Sequence, residues 1–213
     1  MNHGWFITLE GIEGSGKTTQ AATLADALRL HGHQVMVTHE PGGTRAGELI
    51  RSLFLDSSIS LEVTAELLLV LADRAQHVCE KLRPALGAGQ IVISDRYSDS
   101  TTAYQGYGRG FDLKLVGELN RLASDGIIPD LTIVLDCAPE TGLARTRTRA
   151  GNAVRASDRF EGEQIEFHRR VRDGFRVIAR NEPSRVVLLD STRQLDDVST
   201  DILRVVLARL EQH

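Results

Sequence analysis

The sequence predicts an α/β protein in three layers, with a five-stranded parallel sheet covered by helices on both faces. Three observations predict it. Short β-branched apolar runs alternate with longer stretches whose apolar residues recur at helical spacing. The runs are nearly continuously apolar, as strands covered on both faces are. A glycine-rich turn joins the first run to the first amphipathic stretch.

Phe6-Ile7-Thr8-Leu9 reads as the first strand. Lys17 to Leu30 reads as a helix, with Ala21, Leu24, Ala25 and Leu28 on one face and Gly32 just past its end. Gln34 to Thr38 is a second strand, Arg45 to Phe54 a short helix and Leu61 to Leu82 a long one. Gln90 to Ser94 is the third strand, set off upstream by Gly87 and Gly89. Leu113 to Ala123 is helical, and Leu131 to Leu135 is the fourth strand after Ile128-Pro129-Asp130. Pro139 to Arg149 is a helix with proline at its start. Glu161 to Arg180 is helical, Arg185 to Leu189 is the fifth strand, and Leu195 to Leu210 closes the chain. Asp95 to Gly110 and Ala150 to Asp158 read as irregular, mobile loops of the kind that carry function.

The 213 residues fit one domain, 1–213, with no linker or internal repeat. A content of 41% hydrophobic and 25% charged residues excludes a disordered chain. Cys79 and Cys137 lie far apart and form no CxxC pair, so a reduced, cytoplasmic setting is expected. The apolar run Leu67 to Ala72 is too short to span a bilayer. The start, Met1-Asn2-His3-Gly4-Trp5, has neither a basic nor an apolar leader region, so secretion is not expected. A net charge of −4 gives no support for nucleic acid or an anionic membrane as partner. Only Lys17, Lys81 and Lys114 among the 25 basic residues are lysine. Arginine's planar fork suits phosphate, but genomic codon bias would give the same bulk count, so the placement of individual arginines carries the information.

The strongest motif is Gly11-Ile12-Glu13-Gly14-Ser15-Gly16-Lys17-Thr18, which satisfies G-x-x-x-x-G-K-[ST]. It follows a strand and opens a helix, as a P-loop does. Its backbone N–H groups, with Thr19 continuing the run, would cradle phosphate oxygens. Lys17 would reach the β- and γ-phosphates, and the Thr18 hydroxyl would ligate Mg²⁺. Asp95 ends the apolar run Ile91-Val92-Ile93-Ser94 in a Walker-B pattern, a second candidate for the metal. Asp136 after Leu135 offers the same shape, and either residue could simply cap a turn. Arg96 beside Asp95 suits a second anion.

Other signals are weaker alone. Glu40-Pro41-Gly42-Gly43-Thr44 could be a plain turn, and Arg74 by itself reads as a surface arginine on an amphipathic helix. His77 reads as structural. Arg145, Arg147 and Arg149, followed by Arg155 and Arg159, concentrate positive charge towards a glycine-containing loop. That suits an anion, or a solvated helix end. Asp158-Arg159-Phe160-Glu161 matches a capping box at a helix start. No HExxH, GxSxG or guanine-reading NKxD motif is present.

Taken in order, these residues resemble the bacterial thymidylate kinases. The landmarks are Leu9 through Thr19, Glu40 through Thr44, Ala72-Asp73-Arg74, Asp95-Arg96-Tyr97, Ala103-Tyr104-Gln105-Gly106, Pro129 through Thr132, Leu135-Asp136 and Asp158 through Glu161. The resemblance implies a P-loop kinase fold with a short lid at about 145–161. It also implies MgATP as donor, dTMP as acceptor and a homodimer. Carried over residue by residue, Arg51, Arg74 and Arg96 match acceptor-phosphate arginines, and Thr101 and Gln105 match positions near the thymine edge. Glu10 and Asp95 match acidic positions near the transferred group and its metal. Glu13 stands in a P-loop without arginine, which implies a catalytic arginine from the lid: Arg149, or its neighbours Arg145 and Arg147. Two departures stand out: Val70 and Leu71 occupy the place of the family's usual stacking phenylalanine, and the stretch 151–157 is longer than many bacterial lids. The rival readings are another small-molecule kinase on the same fold, for a different nucleoside monophosphate or a deoxynucleoside, and a regulatory NTP switch.

Overall fold

The computed structural model describes residues 4–148 in full, the backbone of 149–150, and residues 159–211. Its five strands are β1 (Trp5–Glu10), β2 (Val35–His39), β3 (Ile91–Asp95), β4 (Leu131–Asp136) and β5 (Val186–Asp190). They pair in the order β2-β3-β1-β4-β5, and every pairing is parallel. The register sets Leu9 beside Asp95, so β1 and β3 end at the same level.

Alternation along each strand decides which helices cover which face. Ile7, Leu9, Ile93 and Ile133 bury one face against α1 (Lys17–Leu30) and α9 (Leu195–Leu210). On the other face, Phe6 and Val92 pack with Val78 and Leu82, and Val134 and Val186 pack with Phe167, Val171 and Phe175. That second layer is built from α3 (Val63–His77) and α8 (Ile165–Asn181), with α2 (Arg45–Leu55), α4 (Arg83–Gly87), α5 (Ser98–Thr101), α6 (Leu113–Ser124) and α7 (Pro139–Ala150) completing the chain.

Three segments differ from the sequence reading. The stretch 95–110 is not a loop: α5 runs directly into a π-helical segment, Thr102–Gly108. Its glycines serve packing, since a Cβ on Gly106 would lie 2.6 Å from Leu113 Cδ2 and one on Gly108 2.7 Å from Phe167 Cε2. The long helix begins at Val63, and its end is remade as a π-helical stretch, Val78–Leu82, leading into α4. Helix α8 begins at Ile165, with Arg159 to Gly162 in turns before it, so Asp158-x-x-Glu161 does not open the helix. Asp158 itself, Arg155 and most of the expected lid loop lie outside the described residues.

Candidate active site

The site forms where β1 and β3 end, the edge at which parallel α/β sheets collect ligands. From Glu10 the chain turns through Gly11–Gly16 into α1. Gly14 sits at φ 69°, and a Cβ there would come within 2.0 Å of the Gly142 carbonyl oxygen, so only glycine fits this turn against α7. Gly16 precedes α1 in the left-handed region at φ 97° without a capping side chain. The first N–H groups of α1 have no intrahelical partners, which suits a phosphate.

Lys17 Nζ folds over this loop and donates to the carbonyls of Gly11 (3.1 Å) and Ile12 (2.9 Å). Burial, and then Arg96, push its ammonium down to about 8, against the pull of Asp95, Glu13 and Glu10. The Thr18 hydroxyl donates to Asp95 Oδ2 at 2.5 Å, which unites the two predicted metal-side residues. The rival Asp136 is committed elsewhere: Arg172 grips both its oxygens and Arg176 one of them.

The expected acceptor side is organised by Glu40. Its Oε2 accepts from Arg74 Nε at 2.9 Å and its Oε1 lies 2.8 Å from His77 Nδ1. A carboxylate only accepts, so Nδ1 carries the proton, and His77 Nε2 pairs with the Thr38 hydroxyl at 2.6 Å. Arg74 also donates to Asn120 Oδ1 (2.6 Å) and Thr101 Oγ1 (2.9 Å). It is therefore a buried residue, 2% exposed, and not the surface arginine that its helix position suggests. The turn after the cis Glu40–Pro41 bond is clamped by Asp73 Oδ1, which accepts from Gly42 N. Asp73 Oδ2 is buried without a hydrogen-bond partner, and burial, with Glu40 next, pushes the carboxyl up to about 7. Arg51 donates to the Pro41 carbonyl at 2.7 Å.

Arg96 links the two sides. It adopts φ 75°, a left-handed conformation that is costly for a side chain of this size. Nη1 donates to Gly11 O and Ser100 Oγ, and Nη2 to Glu13 Oε1 and Tyr104 Oη, each at 3.0–3.1 Å. Glu13 also accepts from the Tyr104 hydroxyl at 2.5 Å, and its Oε2 lies 3.2 Å from His168 Nδ1. Burial works against its charge, but His168, Arg96, Lys17 and Tyr104 outweigh it and hold the carboxyl down at about 2. Glu10 behaves oppositely. Burial, then Asp99, push it up to about 8, although it accepts from Tyr97 N and Ser100 Oγ.

One cavity of about 420 Å³ joins these groups. Glu13, Gly14, Gly16, Lys17, Thr18 and Thr19 line one part. Arg51, Arg74, Arg96, Thr101 and Gln105 line the other, with Asp95 among them. Glu10, Gly11, Ile12 and Ser15 are not part of this lining. Among the described residues of the arginine comb, Arg145, Arg147 and Arg159 are not in this lining. Arg145 donates to the Ser191 carbonyl at 3.1 Å, and Arg147 is exposed outside the lining. Thr146 reaches the cavity from the same helix. The side chain of Arg149 lies outside the described residues.

Sequence reasoning missed Asp73, Phe54 and Phe160 as cavity residues. Phe54 reads as an ordinary apolar helix position, and Phe160 as part of a capping box. Their rings meet with centroids 5.2 Å apart, and Phe160 meets Tyr104 edge-on at 5.6 Å. Aromatic surface therefore reaches this cavity although the α3 position beside it is Val70.

A family model described as thymidylate kinase matches residues 9–202. A thymidylate kinase of Solidesulfovibrio magneticus is 48% identical over 204 residues, covering 94% of this chain and 98% of the relative. One from Trichlorobacter lovleyi is 50% identical over 207 residues, covering 96% and 98%. The crystal structure of thymidylate kinase from Ehrlichia chaffeensis superposes with a TM-score of 0.78 at 36% identity, covering 96% of this chain and 99% of that one.

Proposed function

This chain belongs to the thymidylate kinase family of ATP-dependent nucleoside-monophosphate kinases, which phosphorylate dTMP, and on that premise we propose how its residues divide the work. The observation that carries the division is the single cavity with a P-loop at one side and three arginines at the other.

The P-loop N–H groups and Lys17 hold the triphosphate of ATP. Lys17 exchanges the Gly11 and Ile12 carbonyls for phosphate oxygens. Thr18 and Asp95 would hold Mg²⁺: they offer two hard oxygens side by side, and no cluster of three or more His, Cys, Asp or Glu competes for a metal among the described residues. Mg²⁺ characteristically takes one or two protein oxygens and completes its shell with water and phosphate. When bound, it neutralises charge on the transferring group.

Arg51 and Arg96 take the acceptor phosphate. Arg74 already has its charge balanced by Glu40 and lies against Thr101, so it serves the part of dTMP that reaches Thr101. Gln105 lines the same end. The attacking phosphate oxygen is largely ionised at pH 7, since its second pKa is near ~6, so no strong base is needed. Catalysis is alignment and charge neutralisation, completed by a lid arginine, Arg149 or its neighbours. Closure over the cavity would keep water from the γ-phosphoryl.

A homodimer fits the surface. Leu49 and Leu53 on α2, Leu68 on α3, and Leu115 and Leu122 on α6 are exposed, on helices that neighbour one another. No helix among the described residues is long and apolar enough to cross a membrane. Sedimentation of the wild type and of Leu49→Glu tests the dimer; a monomeric wild type refutes it. ADP release measured across a panel of nucleoside monophosphates tests the reaction. Turnover should depend on dTMP, and slow hydrolysis indifferent to dTMP would favour the switch reading instead.

A further inference from the structure

Glu66 is a fully buried carboxylate on α3, outside the motifs and outside the cavity lining. Its Oε1 accepts from Gln105 Nε2 at 2.8 Å and from Arg109 Nε at 3.1 Å. Its Oε2 accepts from Arg109 Nη2 at 2.9 Å and Arg159 Nη2 at 3.1 Å. Two guanidinium groups, Arg109 and Arg159, meet this one buried carboxylate, and Arg109 also pairs with Glu163.

The pairing with Gln105 has a chemical consequence. An amide can face a neighbour with either its NH₂ or its oxygen, and a free glutamine in a pocket could present either to a ligand. A carboxylate accepts only. Glu66 therefore fixes Nε2 towards itself and leaves Oε1 as the outward atom. Gln105 lines the cavity, and no described residue donates to its Oε1. We propose that Glu66 is a positioning residue that makes Gln105 an obligate acceptor towards the nucleobase, selecting pyrimidines that carry a proton at N3. Thymine has that N3–H. Cytosine has a lone pair at N3, which would face the Gln105 oxygen unpaired. This deepens the dTMP reading of the cavity and rests on it.

The test uses the full-length enzyme with dTMP, dUMP and dCMP as acceptors. dUMP keeps the N3–H and lacks only the C5 methyl group, so it reports general loosening of the pocket. In Glu66→Gln the new amide can donate to Gln105 Oε1 and release its orientation. The expected result is a fall of about tenfold or more in the dTMP:dCMP ratio of kcat/KM. The change should sit in the dTMP KM more than in kcat, and the dTMP:dUMP ratio should stay within threefold of wild type. Glu66→Asp, still acceptor-only, should restore most of the ratio. In a Gln105→Leu background, Glu66→Gln should change the ratio no further. An unchanged dTMP:dCMP ratio, or equal falls in both ratios, would reduce Glu66 to a structural anchor and overturn the proposal. Should Glu66→Gln fail to fold, Glu66→Ser takes its place with the same outcomes, and a preserved dTMP:dCMP ratio in Gln105→Leu overturns the proposal by itself. A wild type that ignores dTMP would instead refute the reading of the whole cavity.

Discussion

The Thr18 hydroxyl meets the Asp95 carboxylate at 2.5 Å, although the two residues lie 77 positions apart. The parallel register of β1 and β3 brings them together, because it ends both strands at one level. Asp95→Asn keeps the shape and removes the charge. Its activity should need about 10- to 100-fold more Mg²⁺ for half-saturation. An unchanged Mg²⁺ titration would remove Asp95 from the metal site.

Lys17→Ala should abolish transfer and preserve the fold. Lys17 bonds only to loop oxygens, and no core packing depends on its ammonium. Loss of one preorganised contact to a developing anion typically costs about 10²–10³ in rate. Single-turnover kinetics beside circular dichroism measure both. More than a tenth of wild-type turnover with a normal spectrum contradicts the assignment.

Arg96→Ala should impair the acceptor and spare the donor. Both terminal nitrogens of Arg96 are shared among Gly11, Ser100, Glu13 and Tyr104, so a phosphate competes with these bonds. A charge-assisted bond contributes roughly 1.5–3 kcal/mol, so kcat/KM for dTMP should fall about 10- to 150-fold. Calorimetry of ATP binding without acceptor is the control. A parallel loss of ATP affinity would end the division of labour.

The lid comb should prove unequal. Arg145 is tied to the Ser191 carbonyl, so Arg145→Ala should leave the transfer rate within about threefold of wild type. Neutralising Arg147 and Arg149 together should lower kcat and kcat/KM alike, by up to ~10³-fold. Single-turnover ADP formation decides. A silent double variant would make the comb plain surface charge.

Asp73 should make stability fall as pH rises. Folding raises its carboxyl from 3.8 to about 7, so between those values the folded chain binds more protons than the unfolded one. The contribution is whole below about pH 4 and is lost as pH climbs through about 7, amounting to at most roughly 4 kcal/mol. Asp73→Asn cannot ionise, and its Oδ1 can still accept from Gly42. Urea unfolding of both proteins at about pH 5 and pH 8 should show the variant gaining on wild type at the higher pH. A constant difference would contradict a raised carboxyl.

The sequence was most legible where one local rule decides structure. Helices α1 and α9 begin and end where their apolar spacing places them, Lys17–Leu30 and Leu195–Leu210. The P-loop was legible because phosphate binding requires that spacing within a few residues. Partners distant in sequence were not. Nothing near Arg74 announces that Glu40, Asn120 and Thr101 will enclose it. Asp95 was favoured over Asp136 by its neighbour Arg96 and by the family landmarks, but that Arg172 and Arg176 engage Asp136 is something only the fold reveals. The glycines of 95–110 misled because packing against Leu113 and Phe167 selects glycine as strongly as a loop does.

The two oxygens of Glu40 are already divided, one to Arg74 and one to His77, with Thr38 closing the chain behind. In evolutionary terms this corner is a ratchet. Any one of these side chains lost by mutation strands a partner in the interior, so drift must replace several at once or restore the original. Val70 stands on the same helix, beside the same cavity, yet none of these bonds passes through it. Residue 70 can therefore change, and with it that stretch of cavity wall, while the polar corner one turn away stays fixed.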